Sequence, residues 1–167
     1  MPIRQQTQGV QETLDGMEQA ASEKIEVGFN PLTDGSSVGI ELMGFATEML
    51  LKSAYFRFIG HPGSDAITRQ HLTQAEKDAH ILSVVASPES FHSVEFWGEL
   101  LIKQRRSQSR PLSALMENDL HKSVQKVHRN WHVTMRYQSI KGIQKSDLDD
   151  VFDGVMWIKS NYEALWR

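Results

Sequence analysis

Between Ser36 and Ile59 the chain is apolar on almost every face of a helix. Val38, Leu42, Phe45, Met49, Leu50, Ala54, Tyr55, Phe58 and Ile59 recur at helical spacing. Ile40, Met43, Leu51 and Phe56 fill the remaining faces. A helix wetted on one side would leave a broad polar stripe. This one leaves almost none, so the pattern predicts a helix enclosed by others, at the centre of an all-α bundle. Gly60-His61-Pro62-Gly63 supplies its stop signal.

The flanking sequence supplies the helices that would enclose it. Residues 10–27 carry Val10, Leu14, Met17, Ala20, Ala21 and Ile25, an amphipathic spacing that ends before Asn30-Pro31. Residues 73–83 read as a short helix, with Thr73 and Glu76 at capping-box spacing. Ser87-Pro88 opens a helix reaching about Arg106, with Phe91, Val94, Trp97, Leu101 and Ile102 inward. From Ser113 to Tyr137, Leu120, Val124, Val127, Trp131 and Met135 hold one stripe. Ser146 caps the last helix, and Asp147, Asp149 and Asp150 suit its positive N-terminal end. Leu148, Val151, Phe152, Val155, Ile158, Tyr162 and Leu165 form its inner face. No strand alternation persists and no long period repeats. The expectation is a single domain over residues 1–167, frayed at 1–9. Its fold is an up-and-down four-helix bundle with additional short helices.

A chain of 167 residues buries enough surface to need no staple, and it has no cysteine. Disulfides, thiolate metal sites and cysteine nucleophiles are therefore excluded. The net charge of −3 gives no global pull toward nucleic acid or an anionic membrane. Met1 to Asp15 lacks the pattern of a signal peptide, and Glu48, Lys52 and Arg57 interrupt the apolar run. A cytoplasmic protein with no membrane association is expected.

Four constellations could carry chemistry. Glu48 and Lys52 stand one helical turn apart inside the most apolar helix. They are either a solvent-facing pair on a narrow polar strip or a buried pair, which must be mutually satisfied. His121, His128 and His132 cluster beside the core stripe, but no HExxH and no carboxylate completes a zinc set, so no metal and no cofactor is expected. From Lys103 to Arg136 there are eight Lys/Arg against two acids, a local charge of about +6. Within that run Arg105, Arg106, Arg110, Lys122, Lys126 and Arg129 are the candidate phosphate contacts for a nucleic acid. The ordinary alternative is a solvated face. Trp97, Trp131, Trp157 and Trp166 read as core or interface before stacking platforms. There is no GxSxG and no GxxxxGK loop.

The order of Glu48-Met-Leu-Leu-Lys52, Phe91-His92-Ser93, Trp131-x4-Arg136-Tyr137 and Trp157-Ile158 resembles the HEPN superfamily over roughly residues 38–160. The likeness is to the branch accompanying minimal nucleotidyltransferases and to related bacterial HEPN-like proteins. The resemblance implies an up-and-down four-helix bundle, a homodimer, and a place in toxin–antitoxin or defence systems. Many members are metal-independent RNases with an R-x4–6-H motif. Arg129-Asn130 matches its start, but the histidine is missing, since Thr134, Met135 and Arg136 occupy the required positions and His132 is too close. The resemblance therefore implies a non-enzymatic member that binds a nucleotide, RNA or a partner protein. Glu48, Lys52, His92, Arg136 and Tyr137 would form its ligand site or a buried polar network. A divergent RNase using Arg129, Asn130 and His132 is the enzymatic alternative, and a purely structural interaction module is the third.

Overall fold

A computed structural model describes residues 13–86, 90–131 and 144–167. The protein is all-α. Among the described residues the helices are α1 (Leu14–Thr33), α2 (Ser37–Phe58), α3 (Arg69–Ile81), α4 (Val94–Ser107), α5 (Ala114–Asn130) and α6 (Lys145–Trp166), with a 3-10 turn at Ser90–His92. No helix among them is long and apolar enough to cross a membrane.

α2 is the centre, as its sequence requires, with 15 of its 22 residues buried. α2, α4, α5 and α6 form a closed ring, each packed on the next, and α1 lies against the outer side of α2. The strict alternation of an up-and-down bundle is interrupted once. Glu48 faces His92, Lys52 faces Trp97 and Phe58 faces Arg105, so α2 and α4 run the same way. The chain between them returns through α3, which makes this parallel pairing possible. α5 runs against both α4 and α6, with His128 beside Glu95, Arg106 beside Glu117, and Lys126 beside Asp153.

Caps fix the helix ends. Thr13, Ser36, Ser93 and Ser113 accept first-turn N–H groups of α1, α2, α4 and α5. Several ends differ from expectation. α1 continues through Pro31 to Thr33, with the proline in its last turn. α3 begins at Arg69, capped by Thr68, and His71 rather than a glutamate closes the box. α6 starts at Lys145, with Gln144 and Asp147 as its reciprocal cap. Ser87-Pro88 and residues 132–143 lie outside the described residues.

An aromatic cluster lies within a largely aliphatic core. Trp97 packs against Tyr55, Phe56, Phe91 and Phe96, with ring centroids 5.1–6.2 Å apart. Trp131 lies against α2 over Gly44, where a Cβ would come within 2.1 Å of the indole. Gly154 similarly lets α6 approach the Ser123 carbonyl of α5.

Two buried phenols tie the elements together. Tyr55 donates to Asp78 of α3, and Tyr162 shares a 2.7 Å hydrogen bond with Ser53 while receiving one from Arg57. Burial raises the Tyr55 pKa, and the Asp78 carboxylate raises it further. Burial also raises that of Tyr162, with Glu18 adding, against the opposing effects of Ser53 and Arg57. The folded state therefore holds phenol protons that the unfolded chain loses near pH 10, so this stability is complete below about pH 10 and is lost above it. Unfolding free energy should fall by about 1.4 kcal/mol per pH unit per phenol above that point. Denaturation at stepped alkaline pH checks this, and Tyr55→Phe should shallow the slope by about one proton.

Candidate functional site

The polar centre sits midway along α2. Glu48 and Lys52 are 4% and 9% exposed, and Lys52 Nζ donates to Glu48 Oε1 at 2.7 Å. The solvent-facing reading of this pair is thereby overturned, because α4 covers the strip. Lys52 Nζ also stands 5.4 Å over the Trp97 ring centroid, a cation–π contact. His92, exposed at the mouth, brings Nδ1 to 3.4 Å from Glu48 Oε2, but that oxygen accepts no hydrogen bond. Glu48, Lys52 and His92 are thus brought together. Arg136 and Tyr137 lie outside the described residues.

The basic run is dispersed by the fold. Arg105 is 7% exposed, donates to the Leu165 carbonyl at 3.0 Å and lies 4.8 Å from the Phe58 ring centroid. Desolvation lowers its pKa, and the nearby charge of Arg110 lowers it further. It staples α4 to α2 and α6, which corrects its assignment to a phosphate-binding surface. Arg106 pairs with Glu117, and Arg110 donates to the Arg167 carbonyl while stacking on Phe58. Lys126 bonds Asp153 at 3.0 Å and faces Asp150 at 3.5 Å. The hydrogen bond to Asp153 raises its pKa, against desolvation, with both carboxylates adding. Lys122 and Arg129 are exposed and make no ion pair among the described residues. The summed +6 is therefore not one cationic field.

Of the proposed RNase residues, Arg129 faces solvent and Asn130 donates to the Lys126 carbonyl of its own helix at 3.0 Å. His132 lies outside the described residues. His128 is 3.3 Å from Glu95 of α4, and His121 is exposed.

Between α5 and α6 lies an open groove of about 560 Å³. Asp119, Lys122, Ser123 and Lys126 form one wall, and Asp153, Met156, Trp157, Ser160 and Asn161 the other. Trp157 is half-buried, packed against the core while lining this groove.

A second cluster escaped sequence reasoning. His61, Asp65 and His71 bring one ligand atom each within 4.8 Å of one another, all part-buried. Their positions follow from α2 ending in a Schellman motif. Gly60 takes φ +104, its N–H bonds Arg57, and the His61 N–H bonds Phe56. His61 and Pro62 were legible only as helix terminators, because the cluster spans a loop and two helix ends and shows no helical period.

No family model, no curated protein and no solved structure matches the chain.

Proposed function

We propose that this chain is a non-enzymatic, HEPN-like helical domain that binds a nucleotide, or the end of a single-stranded RNA, in the α5–α6 groove. The observation that carries the reading is the composition of that groove. It combines two lysines with a half-buried tryptophan and with hydroxyl and amide groups, within a volume suited to a small ligand. Lys122 and Lys126 would hold a phosphate, Trp157 would stack a base, and Asp119 would accept from ribose hydroxyls. Two lysines are matched there by Asp119 and Asp153, and Lys126 already has carboxylate partners. A groove so balanced favours a ligand with few phosphates over a long polyanion.

Calorimetric titration with nucleoside 5′-monophosphates and a short single-stranded RNA tests the proposal. Lys122→Ala should weaken binding about tenfold, the effect of one charge-assisted phosphate contact. Trp157→Leu should weaken it by roughly fivefold or more. The salt dependence should be shallow, with a log–log slope of about −0.7 to −1.4, corresponding to one or two phosphate contacts. Absence of binding at millimolar nucleotide and low salt would reduce the basic residues to a solvated face.

A further inference from the structure

We propose that His61, Asp65 and His71 form a binding site for one zinc-class divalent ion, at the junction of α2, the loop after it and α3. The donor set is two imidazoles and one carboxylate, a combination suited to zinc and its first-row neighbours. Tetrahedral zinc with bonds of about 2.1 Å places its ligand atoms about 3.4 Å apart. The separations of at most 4.8 Å therefore need to close by about 1.4 Å or less, within reach of side-chain rotation.

The backbone beneath the cluster is already fixed. The Schellman motif sets His61, and the Asp65 N–H bonds the Pro62 carbonyl. Leu14 and Asp15, at the start of α1, donate to the carbonyls of Asp65 and Gly63. The fully buried Phe56 ring lies edge-on to both imidazoles at 5.8 Å, and the imidazoles are 4.6 Å from each other. Such support holds ligands near a productive geometry before the ion arrives.

Hydrogen bonds assign the ligand atoms. Asp65 Oδ2 stands 3.0 Å from His61 Nδ1, close to the edge of a zinc tetrahedron. His71 Nδ1 is engaged by the Thr68 N–H and hydroxyl at 3.0 and 2.9 Å, which leaves Nε2 as its ring nitrogen without a hydrogen bond among the described residues. With His61 and Asp65 side chains 28% and 38% exposed, the fourth position is left to solvent.

Zinc titration by calorimetry and equilibrium dialysis, on full-length protein without a histidine tag, tests the site. One zinc per chain, an EDTA-reversible rise in melting temperature, and cobalt(II) visible bands of four-coordinate intensity are expected. His71→Gln retains a capping acceptor and Asp65→Asn retains a hydrogen bond to His61, so both should fold with the metal-free melting temperature of the wild type. Each should lose at least tenfold in zinc affinity, whereas His121→Ala and His128→Ala should bind as the wild type does. Failure of the wild type to bind zinc stoichiometrically, or undiminished affinity in both ligand variants, would reduce the cluster to hydrogen-bonded loop staples.

Discussion

Replacing Glu48 with alanine is expected to destabilise the protein by about 3–5 kcal/mol, the range for removing one partner of a buried ion pair. The substitution leaves Lys52, 9% exposed, with no carboxylate and with its ammonium between α2 and α4. The Trp97 face 5.4 Å away offsets only part of the desolvation. Lys52→Met alone should be comparably harmful, because Glu48 would then keep neither its 2.7 Å bond nor water. The double replacement Glu48→Leu/Lys52→Met, by contrast, should lie near wild type or above it, since apolar side chains of similar volume fill the space without desolvating charge. Urea unfolding of the wild type, Glu48→Leu, Lys52→Met and the double variant closes the cycle, with Glu48→Ala measured beside them. A loss under about 1 kcal/mol for Glu48→Ala would mean that the pair behaves as a solvated surface pair. A double variant as unstable as the singles would assign the pair a positive role in choosing how α2 and α4 pack.

The same comparison separates what sequence can carry from what only three dimensions supply. α2 was legible because its apolar residues leave no polar stripe, and it is the central helix. Glu48 and Lys52 were legible as polar residues in an apolar helix and His92 through the resemblance, and the three meet. The basic run was misleading because summing charge along the chain counts only neighbours in sequence. Lys126 is matched by Asp150 and Asp153 on another helix, and Arg105 by a carbonyl 60 residues away. The α3 start was misplaced because histidine can close a capping box as an acceptor, a role that Thr68 and His71 fill. His61, Asp65 and His71 were invisible for a related reason: their spacing is set by a helix end and a loop, for which there is no fixed period.

Glycine at 44 is the least replaceable small residue of the α2–α5 contact, and Gly44→Ala should cost about 3 kcal/mol or more. An alanine Cβ would sit 2.1 Å from two indole atoms of Trp131 and 2.4 Å from a third. Trp131 is 1% exposed and also packs edge-on against Phe45 at 5.3 Å, so the ring has no vacant volume to enter. Either α5 shifts outward or the indole leaves its place, and both uncover apolar surface. The better helix propensity of alanine returns only about 1 kcal/mol. Because the clash is with one side chain, it can be relieved there. Trp131→Leu alone should destabilise by about 2–4 kcal/mol through lost burial. Adding Gly44→Ala to that background should cost little, a coupling of about 2 kcal/mol or more between the sites. Chemical denaturation of the four proteins measures it. Simple additivity would show that Gly44→Ala acts through the α2 backbone and not through the ring of Trp131.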